Sequence, residues 1–122
     1  MNLQAYNQFC NQLTATEHCV QWRGSHVWKV GGKVFAIAQQ AESTDLLSVT
    51  FKVTPLSYDI LSEQAGLRPA PYLASRGMKW IQHYDRPGLS DEDLKRYLQT
   101  SHRLVAEGLS IRKRGELGLL DP

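Results

Sequence analysis

The segment Val27-Trp28-Lys29-Val30-Gly31-Gly32-Lys33-Val34-Phe35-Ala36 constrains this chain more than any other. Two β-prone runs flank Gly-Gly. A two-residue hairpin loop needs positive φ at both of its positions, which glycine adopts without a Cβ penalty. Such a turn sets the register: Val30 opposite Lys33, Lys29 opposite Val34, and Trp28 opposite Phe35. One face of the hairpin is then expected to carry the Trp28/Phe35 pair as an anchor for a core, with Lys29 on the other face.

The same reading extends along the chain. Leu3, Tyr6, Phe9, Cys10 and Leu13 recur at three-to-four spacing and predict an amphipathic helix over 3–13. A short strand is expected around 18–23, followed by the hairpin strands at 26–30 and 33–39 and a polar loop at 40–45. Leu47, Val49, Phe51 and Val53 alternate with Ser48, Thr50 and Lys52, the pattern of a strand with one buried face. Thr54-Pro55 reads as an N-cap followed by proline at the first helical position. That helix is expected to stop near Gly66 as its C′ residue. Arg68-Pro69-Ala70-Pro71 excludes regular helix and central strand. Lys79–Tyr84 reads as a last strand.

Ser90 and Asp93 resemble a capping box for a final helix, with Asp91, Glu92 and Asp93 at its positive end. Its buried stripe would be Leu94, Tyr97, Leu98, Ser101, Val105 and Leu109. Arg112-Lys113-Arg114 lies near or past its far end, and 115–122 reads as a frayed tail. The element order is therefore α-β-β-β-β-α-β-α. Consecutive strands without helices between them imply an antiparallel sheet, giving an α+β, two-layer fold with the helices on one face.

The 122 residues make one domain, 1–122, long enough for a core without staples. No apolar run approaches a membrane span, and Met1-Asn2-Leu3-Gln4 has neither the basic nor the apolar part of a signal peptide. A cytoplasmic location and no membrane partner are expected. Cys10 and Cys19 are too few for a disulfide scaffold, and no CxxC occurs. His18, His26, His83 and His102 fall on different elements without HxxxH or HExxH spacing, so no metal and no cofactor are expected. Ser101 and His102 are adjacent on a helix and diverge by about 100°, which argues against a nucleophile pair. GxSxG is absent, and Gly31-Gly32-Lys33 lacks the spacing of a phosphate loop. The expectation is a non-enzymatic protein.

Several of these segments together resemble the MmcQ/YjbR family over about residues 3–114. They are the Trp28 strand, Gly32-Lys33-Val34-Phe35-Ala36, the strand ending Phe51-Lys52, and the Pro55 helix start. The proline-containing loop before Trp80 and the last helix, with Ser101 in its middle and Leu109 near its end, complete the set. One departure is His102, where family members often carry Tyr after the Ser. The resemblance implies a compact domain with an antiparallel sheet, similar to CyaY-like and secretion-chaperone architectures. It also implies DNA binding, since relatives are commonly described as DNA-binding proteins.

The net charge of +2 is too small to argue for nucleic acid alone, but residues 51–89 carry the excess. Lys29, Lys33, Lys52, Arg76 and Lys79 are the candidate phosphate contacts, because phosphate binding needs Lys or Arg and little else. They equally suit a solvated surface that keeps a small domain soluble. Trp80 and Tyr84, on one side of their strand, suit either core packing or base stacking. The alternative function is a protein-interaction module, chaperone-like or homodimerising, using Val27, Val34 and Ala36 on the open sheet face.

Overall fold

In a computed structural model that describes residues 1–42 and 44–120, Gly31 and Gly32 form the hairpin turn at φ 58° and 83°. Ser43 of the expected 40–45 loop, and Asp121 and Pro122 of the expected tail, lie outside the described residues. The hairpin strands are β2 (Ser25–Val30) and β3 (Lys33–Gln40). They join β1 (Thr16–Gln21), β4 (Leu47–Lys52), β5 (Leu67–Pro69) and β6 (Trp80–His83) in one antiparallel sheet of order β1-β2-β3-β4-β6-β5. Helices α1 (Leu3–Gln12), α2 (Pro55–Leu61), α3 (Asp91–Glu107) and α4 (Ile111–Glu116) complete the α+β fold.

The hairpin register follows the turn for two pairs and then departs from it. Val30 pairs with Lys33 and Lys29 with Val34, but Trp28 pairs with Ala36, because a bulge makes Phe35 the extra residue. The expected Trp28/Phe35 pair does not form. The bulge instead puts two consecutive β3 side chains, Phe35 and Ala36, into the core, both fully buried. It also moves Ala36 off the second hairpin face, where Ile37 now sits opposite Val27.

Beyond the bulge the parity is regular. Ala36, Phe51 and Ile81 form one row across the sheet toward the helices, and Ala38, Val49 and His83 form the next. Tyr6 and Cys10 of α1 and Leu94, Leu98, Ser101 and Val105 of α3 pack against these rows. Burial pushes the Cys10 thiol up to about 12, so it behaves as a plain core side chain.

Three helix starts use the same local chemistry. The hydroxyls of Thr54, Ser90 and Ser110 accept the amides of Ser57, Asp93 and Lys113 and so satisfy first-turn N–H groups. Helix α2 stops at Leu61, earlier than expected, and Gly66 is not its C′ residue. Gly66, at φ 89°, is needed where the chain enters β5, since a Cβ there would strike the Asp85 carbonyl and Gly88. β5 is a strand the sequence did not reveal. Pro69 is accommodated because β5 lies at the sheet edge. The expected tail is also folded further: α4 runs to Glu116, and Leu119 packs against the core.

Candidate nucleic-acid interface

Antiparallel topology decides where the cations go. β2 ends, β3 begins, β4 ends and β6 begins at the same end of the sheet, and β5 runs toward that end before leading into the 3-10 turn Ala74–Arg76. Lys29, Lys33, Lys52, Lys79 and Arg76 therefore all gather at one end. Lys29 and Lys52 lie on β2 and β4 with β3 between them, about 10 Å apart at ordinary strand spacing. Among the described residues, none of the five makes an ion pair. Lys33, Arg76 and Lys79 are exposed, and Lys29 and Lys52 are half-buried.

Two of these residues are held in place. The Lys52 amide donates to Ser101 Oγ at 2.8 Å, and Ser101 Oγ donates to the Phe35 carbonyl at 2.7 Å. Ser101 is fully buried and bridges β3 and β4 just past the last pair of their ladder, Ala36 with Phe51. The Lys79 ammonium sits 4.5 Å above the Tyr58 ring, a cation–π contact that tethers it beside α2. The Val53 amide donates to the Lys79 carbonyl, so the β4–β6 pairing continues to this point.

Two of the α4 cations join this end, a placement the sequence reading did not foresee. A Cβ on Gly31 would meet Leu109 and Leu117, so the segments flanking α4 press directly on the hairpin turn. Arg112 and Lys113 are thereby brought to the lysine end, with Arg112 paired to Glu116 at 3.3 Å, whereas Arg114 is half-buried and lines a recess with Thr14, His102 and Glu107 beside α3. The signal was Ser110, whose capping of Lys113 starts a new helix where a fraying end was expected. The opposite end of the sheet carries Glu42, Asp45 and Asp85, and Asp91, Glu92 and Asp93 at the start of α3.

The aromatic alternatives resolve differently. Trp80 is 5% exposed, on the Lys52 side of the sheet and outside the core cluster around Phe51, while Tyr84 is covered by the Arg68 guanidinium 4.2 Å above its ring. Val27 and Ala36 of the expected apolar patch are both fully buried, so that patch is not presented.

The histidines do not converge on a common point. His18 Nε2 and His26 Nδ1 lie 3.0 Å apart with their rings stacked, and Asn7 Nδ2 is 3.4 Å from the same His26 nitrogen. Burial, helped by the neighbouring His26, lowers the His18 pKa. His83 lies on the core face with both ring nitrogens buried and unpartnered, and burial lowers its pKa too. His102 packs edge-on against Phe35 and lies 2.7 Å from the Thr14 carbonyl. Among the described residues no helix is long and apolar enough to cross a membrane.

Comparison with known proteins places this architecture. A Deinococcus radiodurans protein of the DUF419 domain family is similar in fold over 98% of this chain and 90% of its own, with a TM-score of 0.83 at 23% identity. A Pseudomonas syringae protein is similar over 86% of this chain and 99% of its own, with a TM-score of 0.67 at 19% identity. No functionally curated protein matches the sequence. The YjbR family model matches residues 11–104, from the end of α1 to the last turn of α3 and across the whole sheet. The chain belongs to the YjbR family.

Proposed function

We propose that this chain is a non-enzymatic, cytoplasmic DNA-binding domain that holds the phosphate backbone with the lysine end of its sheet. The observation that carries this reading is the gathering of Lys29, Lys33, Lys52, Arg76 and Lys79 at one end, none of them in an ion pair among the described residues. Lys113 of α4, exposed and without an ion pair among the described residues, extends the same surface. Lysines on strand ends and turns suit phosphates, which are read by charge and not by base identity. Affinity for duplex DNA should therefore fall steeply with salt and vary little with sequence. A titration of one duplex at 50 and 200 mM salt tests this. Binding that ignores salt, or none at the lower concentration, removes the reading.

A second reading, a protein-interaction module, has one specific observation in its favour. Leu56 and Ile60, one turn apart on α2, are 71% and 56% exposed. This would place a protein contact on α2 and not on the sheet face expected from the sequence.

A further inference from the structure

The lysine end of the sheet also contains a recess of a different chemical kind. A cleft of about 350 Å³ opens between the end of β4, the start of α2 and α3. Its walls are Val53, Pro55, Met78, Trp80 and Leu104. Lys52 and Lys79 stand at its rim. Met78 is 40% exposed, so the cleft is reached from solvent, and Trp80 closes it from the inside. Pockets that take small planar ligands have this make-up: apolar walls with a few charged groups that fix orientation. Double-stranded DNA offers such a cleft only its outer phosphates, because its bases are stacked and paired. An unpaired strand offers bases and phosphates within one nucleotide of each other.

We propose that this cleft receives an unpaired nucleobase of a DNA strand, with the phosphates beside it on Lys52 and Lys79. The proposal rests on the DNA reading above and adds a preference for single strands. Charge complementarity selects the occupant, since an apolar segment of a protein gains nothing from two ammonium groups at the rim, whereas a nucleotide is neutralised by them. The cation–π contact with Tyr58 fixes the Lys79 ammonium over α2, the helix whose first residue, Pro55, lines the cleft. The hydrogen bond from its amide to Ser101 fixes the backbone of Lys52.

Three probes of equal length separate the two ideas: a DNA single strand, the same strand paired as a duplex with twice the phosphates, and a strand of abasic sugar-phosphate units with the phosphate number of the single strand. At low salt the base-bearing single strand should bind on the order of tenfold tighter than either of the others, the gain of packing one base. Leu104→Trp, which fills the cleft, should abolish that preference while keeping residual binding to all three. Met78→Ala, at an exposed position, should weaken the preference without disturbing the fold. Equal binding of the three probes overturns the base site and leaves the phosphate reading standing. Preference that persists in Leu104→Trp and Met78→Ala also overturns it. Absence of binding to every probe removes both.

Discussion

At the scale of single residues, Ser101 is the most consequential side chain. It satisfies a half-buried amide and a buried carbonyl just past the end of the β3–β4 ladder. Ser101→Ala leaves both groups without partners, each costing about 1–3 kcal/mol, so a loss of roughly 2–6 kcal/mol is expected from the urea midpoint. A loss under about 1 kcal/mol would mean that another group replaces the hydroxyl. Phe51 is fully buried and stacks on Tyr97 at 5.7 Å. Phe51→Ala should cost about 3–5 kcal/mol by the same measurement. His83 behaves in the opposite way. Its ring nitrogens are buried without partners, so His83→Leu should be neutral or stabilising at pH 7. His18 and His83 also set a pH dependence. Both have pKa values lowered below the usual histidine value by burial, so the unfolded chain takes up protons that the folded chain resists. The stability they contribute is complete above about pH 6.5 and is lost as pH falls from there toward their folded pKa values. Urea midpoints measured from pH 7.5 to 5 should decline, and less steeply in His83→Leu.

At the scale of elements, the Thr54 and Ser90 caps, the Gly-Gly turn and the alternation of β4 were legible because each is local chemistry. Thr54-Pro55 and Ser90 needed no knowledge of the rest of the molecule. What was not legible depends on partners distant in sequence. The bulge at Phe35 is fixed by a hydroxyl 66 positions away, so no spacing near the hairpin announces it. The β5 strand is three residues long and contains Pro69, and it exists only because β6 is already present to pair with it. The five candidate cations could be named from sequence, but their convergence follows from strand order, and α4 became part of that surface only through its packing on Gly31. This packing gives a test. Gly31 and Gly32 both have positive φ, but only Gly31 faces Leu109 and Leu117, whereas a Cβ on Gly32 meets open space. Each change to alanine carries about 1–2 kcal/mol of backbone strain. Gly31→Ala should cost measurably more than Gly32→Ala in thermal unfolding, since it also pushes the α3–α4 turn away. Equal costs would mean that this turn does not press on the hairpin.

At the scale of the whole molecule, charge is polarised along the strands although the net charge is only +2. Glu17 lies opposite Lys29 at the lysine end, and Arg23 and Arg86 lie at the acidic end, but the excess of each sign falls at opposite ends of the sheet, so a polyanion is drawn toward the lysines. If the lysine end binds phosphates, Lys52→Ala should weaken binding to all duplexes about equally and lower the slope of log K against log salt by about one. Glu92→Gln, at the far end, should leave that slope unchanged. Equal effects of the two changes would argue for diffuse attraction with no localised contact surface.

The Ser101 bridge also has a mechanical consequence. β3 pairs with β4 only from Ala36 onward, so Lys33, Val34 and Phe35 project past the last rung of that ladder. The hairpin tip overhangs on its β4 side alone, where one hydroxyl holds its base, while β1 pairs with β2 as far as Val30 and Leu109 and Leu117 brace the turn. Bending of the tip is therefore coupled to β1, α3 and α4 more directly than to the strands beyond β4. A load on Lys33 should register in β1 and the C-terminal helices before it reaches β6.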